Sequence, residues 1–247
     1  GHNHDRPLSF LDHRIKCGDS LVGVFNLDVL REGIPDGAYN PVSGDDKKVS
    51  SRLKARNKKE REGQPMLPGF GISPTGEAPA LSRLLVRFAR EQEDTPDDVR
   101  RKRDAYERSR AMGTDWWREW TACNLWTAAF FMPQTPEMEA FVPTTDTVRH
   151  YLDHPGAAHG LEIGYITQLA TDNRFFHWPL EFPEVFADGK GGFDAMVGNP
   201  PFLGGKRIST VLGTTYNTFL AAVHPPASKN TDLVAHFFRR AFGLLRD

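Results

Sequence analysis

The chain reads as an α/β protein: a partial, mostly parallel sheet interrupted by a large helical insertion. Three observations predict this. The apolar run Ala195-Met196-Val197, closed by Gly198, has the pattern of a short buried parallel strand. Near the other end of the chain, Arg14-Ile15-Lys16-Cys17 reads as a second short strand, leading into Gly18-Asp19-Ser20-Leu21. Between them apolar residues recur at helical spacing over about 150 residues, far more than a connecting loop uses. The predicted division is a core piece at 1–27, a mainly helical insertion at 28–175 and a second core piece at 176–247.

Composition narrows the class. The 247 residues are 39% hydrophobic and 26% charged with a formal net charge of −1, so nucleic-acid affinity must come from local patches rather than a global basic field. Two cysteines, Cys17 and Cys123, make neither a disulfide framework nor a zinc site, which fits a reducing cytoplasm. The longest apolar run, Leu125 to Met132, is too short for a bilayer, and no membrane partner or metal is expected. The first residue is Gly1 and the last, Asp247, closes a helical pattern directly, so the chain is expected to be an interior piece of a longer polypeptide.

The elements follow in order. Residues 1–9 are polar and without period; His2 and His4 have nothing nearby to complete a metal site. Residues 28–45 read as loop. From Asp46 to Glu62, eight lysines and arginines crowd a helical segment, either a phosphate-binding surface or, more commonly, a solvated face. Leu81, Leu84, Leu85 and Phe88 form one stripe on a helix over Ala80–Glu93. Thr95-Pro96-Asp97-Asp98 starts another: a capping hydroxyl, a proline in the first turn, acids at the positive end of the dipole. Trp116, Trp117 and Trp120 open an apolar helix that reaches Met132, where their rings belong to a core more readily than to a base-stacking surface. His150 and His154 share a helix face without a third ligand, and Leu161–Thr171 forms a further helix. After Thr231-Asp232, a last helix is expected to turn Leu233, Val234, Phe237, Phe238, Ala241, Leu244 and Leu245 toward the sheet.

The chemistry concentrates in Gly198-Asn199-Pro200-Pro201-Phe202. Pro200 restricts Asn199 to extended geometry, and the two fixed φ angles stiffen the segment. A planar exocyclic amine is a poor nucleophile because its lone pair is delocalised into the ring. An asparagine side-chain oxygen and the carbonyl of Pro200 can each accept one of its N–H bonds, pulling the nitrogen toward tetrahedral geometry. Phe202 offers a face on which a base lifted from its duplex can stack. The basic loop Leu203-Gly204-Gly205-Lys206-Arg207 is no P-loop, since Arg207 stands where Ser or Thr belongs; Lys206 and Arg207 are candidates for a DNA phosphate.

Asn199-Pro200-Pro201-Phe202 after an apolar strand resembles the motif of S-adenosylmethionine-dependent amino-methyltransferases, above all the N6-adenine DNA methyltransferases. Phe176 to Phe186, Val197 to Lys206 and Phe10 to Gly23, with the patch Leu125 to Phe131, resemble the type IIG restriction–modification and phage-defence methylases. The resemblance implies a partial Rossmann-like methyltransferase sheet and methyl transfer from S-adenosylmethionine to adenine N6. It makes Asn199 and Pro200 the residues that orient the amine, Pro201 the holder of the backbone and Phe202 the stacking ring. Asp19 is then the carboxylate that meets the cofactor's adenine, at the same sheet edge as Asn199. The implied partners are double-stranded DNA with a flipped adenine and further N- and C-terminal parts of the same polypeptide. The family's glycine-rich cofactor turn precedes its Asp19 equivalent, whereas Gly69-Phe70-Gly71 follows Asp19 here, so this piece alone is expected to bind cofactor poorly and to be inactive.

Other readings compete. A protein-glutamine methyltransferase uses the same acceptor logic, but the long insertion and Phe at 202 rather than Tyr speak against it. A non-catalytic DNA-binding or assembly module would keep the motif as a relic. Gly18-Asp19-Ser20-Leu21 also matches the nucleophile block of GDSL-type esterases, yet no Asp-x-x-His pair supplies the base that Ser20 would need.

Overall fold

The predicted sheet does not form. The computed structural model describes residues 9–63, 78–154, 160–186 and 191–246, and among these there is no β-strand. One isolated parallel bridge, Phe193 with Leu245, is all that stands where the sheet was expected. A parallel strand exists only through the neighbours that take its backbone groups. Ala195–Val197 has none: no hydrogen bond joins these residues to another described segment, and Val197 is 100% exposed. Arg14–Cys17 follows a turn in which the N–H groups of Arg14 and Ile15 both bond the Leu11 carbonyl, and Ile15 points to solvent.

The described chain is helical. Its elements are α1 (Val29–Glu32), α2 (Lys47–Gly63), α3 (Ala78–Arg90), α4 (Pro96–Ser109), α5 (Asp115–Ala128), α6 (Thr145–Asp153), α7 (Gly160–Asp172), α8 (Trp178–Glu181), α9 (Pro183–Phe186), α10 (Gly205–Val211), α11 (Thr214–Val223) and α12 (Leu233–Leu244). Local chemistry sets several boundaries. Asp46 accepts from the N–H groups of Lys48 and Val49 and so caps α2. Thr95 and Asp98 exchange bonds in a capping box ahead of α4, with Pro96 at the first turn. Thr114 accepts from the Trp117 N–H and starts α5.

The core is built on α5, whose residues Thr121 to Ala128 are all buried. Ala122, Cys123, Leu125, Trp126 and Ala128 lie in one apolar cluster with Leu21, Val22 and Val24, with Val49 and Leu53 of α2, Ile166 of α7, and Ile208, Phe219, Leu220 and Leu233 from the last third of the chain. The three predicted segments thus share a core. A satellite cluster joins Phe10 to Leu81, Leu85 and Phe88 of α3 and Tyr106 of α4. Of the tryptophans, Trp116 stacks on Trp120 and donates its indole N–H to the Leu180 carbonyl, so these rings serve packing.

Four of the eight basic residues of α2 are paired in place: Arg52 with Glu139, Arg56 with Glu60, Lys58 with Glu62 and Arg61 with Asp36. That is a solvated, ion-paired face. His150 and His154 stack at 5.0 Å and are exposed, and no group of three potential metal ligands occurs among the described residues. No described helix is long and apolar enough to cross a membrane. His2, His4 and Gly69-Phe70-Gly71 lie outside the described residues.

Two stretches distant in sequence are zipped together. Asp19 N–H donates to the Arg174 carbonyl (2.8 Å), Phe176 N–H to the Val22 carbonyl (2.7 Å) and Trp178 N–H to the Val24 carbonyl (3.0 Å). The Val24 N–H donates to His177 Nδ1 at 3.0 Å, which places the imidazole proton on Nε2, 2.8 Å from Asn124 Oδ1. Burial holds His177 neutral, its pKa down to about 3. Gly23 makes the close approach possible: its φ is +140°, and a Cβ there would lie 2.3 Å from the Phe176 carbonyl oxygen. Beside the zipper, Glu181 takes a two-pronged bond from Arg110 (2.9 and 2.7 Å) and pairs with Lys16 at 3.3 Å. Burial alone would push the Glu181 carboxyl up; Arg110 and Lys16 outweigh it and hold it below the usual range.

Candidate active site

The Asn199–Phe202 segment is suspended between two tethers, both on α12. At its start, Phe193 N–H donates to the Leu244 carbonyl (2.9 Å) and Arg246 N–H to the Phe193 carbonyl (3.1 Å). Gly192 is required there, because its φ is +155° and a Cβ would sit 2.5 Å from the Leu244 oxygen. At its end, the Leu203 carbonyl accepts from Leu233 N–H at 2.9 Å. Between the tethers the chain has no regular secondary structure and lies open: Asn199, Pro201 and Phe202 are exposed, Pro200 is half-buried, and Phe202 is 81% accessible.

The segment that follows is helix rather than the mobile loop expected. Lys206 and Arg207 lie in the first turn of α10, both exposed, with no ion pair among the described residues. Their helix is held from behind by Asn217, whose amide donates to Ser209 Oγ (2.8 Å) and to the Lys229 carbonyl (3.0 Å). Gly205 abuts the backbone of Asn230, where a Cβ would meet the carbonyl carbon at 2.2 Å.

Asp19 sits at the base of the zipper, half-buried. Its Oδ1 accepts from Leu21 N–H (3.0 Å) and from the Tyr216 hydroxyl of α11 (3.3 Å). The expectation of a shared sheet edge with Asn199 falls with the sheet. No hydrogen bond, ion pair or ring contact joins Asp19 to Asn199–Phe202 among the described residues. The structure instead brings Asp19 to α11 and α12, the helices that follow that segment.

Arg240 is the residue sequence reasoning missed. The last helix was expected to bury Phe238, yet Phe238 and Phe242 are 68% and 83% exposed, and the buried face is Leu233, His236, Arg240 and Leu244. Arg240 is 3% exposed, lies over the Phe25 ring at 4.4 Å and donates to the Leu21 carbonyl at 2.9 Å. Burial lowers its pKa to about 9, opposed by Asp19 and Tyr216. Its spacing of four from His236 and from Leu244 was the available signal; hydropathy alone assigns an arginine to solvent.

The family model described as Eco57I restriction-modification methylase matches residues 119–247, just over half of the chain. The chain belongs to the Eco57I restriction-modification methylase family. The matched span contains Asn199–Phe202, Lys206, Arg207, Tyr216 and Arg240, while Asp19 precedes it. No curated protein and no solved structure matches the chain.

Proposed function

We propose that this chain carries the amine-orienting part of a site-specific DNA methyltransferase that methylates N6 of adenine within a restriction–modification or phage-defence system. The observation that carries the reading is the exposure of Asn199–Phe202 on a segment tethered at both ends. An open aromatic ring close in sequence to a solvent-facing amide suits a flipped base, which needs a stacking face and an acceptor.

Asn199 Oδ1 and the Pro200 carbonyl accept the two N–H bonds of the adenine amine and draw its lone pair out of conjugation. Pro201 keeps the two acceptors in register, and Phe202 takes the base face, a contact worth roughly 1–3 kcal/mol. Lys206 and Arg207, exposed one helical turn further on, suit the flanking phosphates of double-stranded DNA.

S-adenosylmethionine supplies the methyl group on a sulfonium when bound. The donor set here fits its adenine end. Asp19 is half-buried, its Oδ1 is occupied, and Oδ2 takes neither of those bonds, so one carboxylate oxygen remains for an amino group. Asp19 lies in the zipped region, which gives the contact a rigid base.

Replacing Asn199 by Ala in the intact methylase should abolish methyl transfer to adenine-containing DNA and leave cofactor affinity unchanged. The amide contacts only the acceptor, so its loss belongs to the chemical step. Wild-type turnover by that variant would sink the assignment.

A further inference from the structure

Leu21 is gripped through both of its backbone polar groups. Its N–H bonds Asp19 Oδ1 at 3.0 Å, and its carbonyl accepts from Arg240 Nη2 at 2.9 Å. The same Oδ1 takes the Tyr216 hydroxyl at 3.3 Å. Three elements therefore converge on this turn: residues 19–21 themselves, α11 through the Tyr216 bond to the carboxylate, and α12 through the Arg240 bond to the Leu21 carbonyl. Phe25 completes the arrangement by lying under the guanidinium.

The chemistry of the three groups is mutually supporting. Burial raises the Tyr216 pKa well above its ordinary value, and the Asp19 charge raises it further, so the hydroxyl is a donor at any physiological pH. No carboxylate forms an ion pair with Arg240 among the described residues, and its Nε and Nη1 are buried without partners. A buried guanidinium in that state is costly. Its placement makes sense where the bond to Leu21 is needed to hold the 19–21 turn still.

We propose that Tyr216 and Arg240 are positioning residues for Asp19, fixing its Oδ1 so that Oδ2 is presented as the acceptor for the adenine amino group of S-adenosylmethionine. This rests on the reading of Asp19 as a cofactor contact. Tyr216 acts on the carboxylate directly, and Arg240 acts through the Leu21 peptide. Neither touches the cofactor.

The test is titration of the intact methylase with S-adenosylmethionine, with steady-state kinetics beside it. Tyr216→Phe removes one hydroxyl at constant shape. It should weaken cofactor binding on the order of ten-fold, and the loss should appear in KM for the cofactor rather than in kcat. Placed on an Asp19→Ala background, the same change should weaken binding no further, since there is no carboxylate left to position. Arg240→Lys, which keeps a charged donor, should be milder than Arg240→Met. If Arg240→Met fails to fold, the Tyr216 pair still decides. An unchanged affinity in Tyr216→Phe, with a clear loss in Asp19→Ala, overturns the positioning role. So does an equal loss from Tyr216→Phe in both backgrounds, the mark of a merely structural tyrosine. An Asp19→Ala protein that binds cofactor normally overturns the reading of Asp19 itself.

Discussion

Leu21–Val24 and Ala195–Val197 are both short, apolar and next to a residue that the proposed chemistry uses. Leu21, Val22 and Val24 are fully buried, laid along Arg174–Trp178 with their carbonyls and N–H groups bonded. Val197, by contrast, is wholly exposed and its neighbours make no cross-chain bonds. The difference lies in partners, not in hydrophobicity. An apolar run becomes structure when a second backbone runs beside it, as Phe176 does for Val22 and Trp178 does for Val24. It also separates two kinds of demand on the proposed site. The Asp19 end requires rigidity; the Asn199 end requires access for a base.

Glycine substitutions should divide the two regions most sharply. Gly23→Ala forces a Cβ against the Phe176 carbonyl at a backbone angle that only glycine takes easily, and should cost about 3–4 kcal/mol of stability. Gly198→Ala has nothing within 4 Å of the new carbon and should stay within about 0.5 kcal/mol. Urea unfolding of both variants reads the contrast, and similar losses would abolish it.

A smaller effect should come from pH. His177 has a folded-state pKa near 3, below the ordinary value of 6.5, so the unfolded chain binds a proton between those limits that the folded chain refuses. Its stabilising share is complete above pH 6.5 and is lost as pH falls toward 3. From pH 6.5 to 5 that is roughly 2 kcal/mol. Amide exchange should therefore accelerate at Val24, whose N–H relies on His177 Nδ1, while residues 194–198 exchange fast at every pH after correction for intrinsic rates. Equal protection of both stretches at pH 7 would contradict the comparison.

Smallest of all should be Val197→Ala. A side chain open to water on every side gives up no packing, and the unfolding midpoint should move by no more than about 0.5 kcal/mol in free energy.

The same contrast explains what the sequence disclosed. Helices were legible because their signals are local: the Leu81, Leu85 and Phe88 stripe sits on α3, and Thr95 with Asp98 caps α4 where the capping pattern predicted. The strands were not, because a strand is a statement about neighbours that lie far off in sequence. Arg14–Cys17 was read as extended core, whereas the buried run begins seven residues later at Leu21, and what buries it is residues 174–178. Of the candidate site, Asn199–Phe202 was legible from residue types alone. Tyr216 and Arg240 were not. An arginine on the last helix becomes an inward residue only once packing has set the rotation of that helix, and here the rotation leaves Phe238 and Phe242 outside.

The tethers of the exposed segment have one more consequence. Phe193 is fastened at the C-terminal end of α12 and Leu203 at its N-terminal end, so a single helix holds both shores of the crossing. A chain cut between Val197 and Gly198 would gain two new ends, each still moored to that helix within six residues of the break. Covalent continuity at this point is thus nearly redundant with the fold, and the crossing is a natural place to open the polypeptide without letting either half drift away.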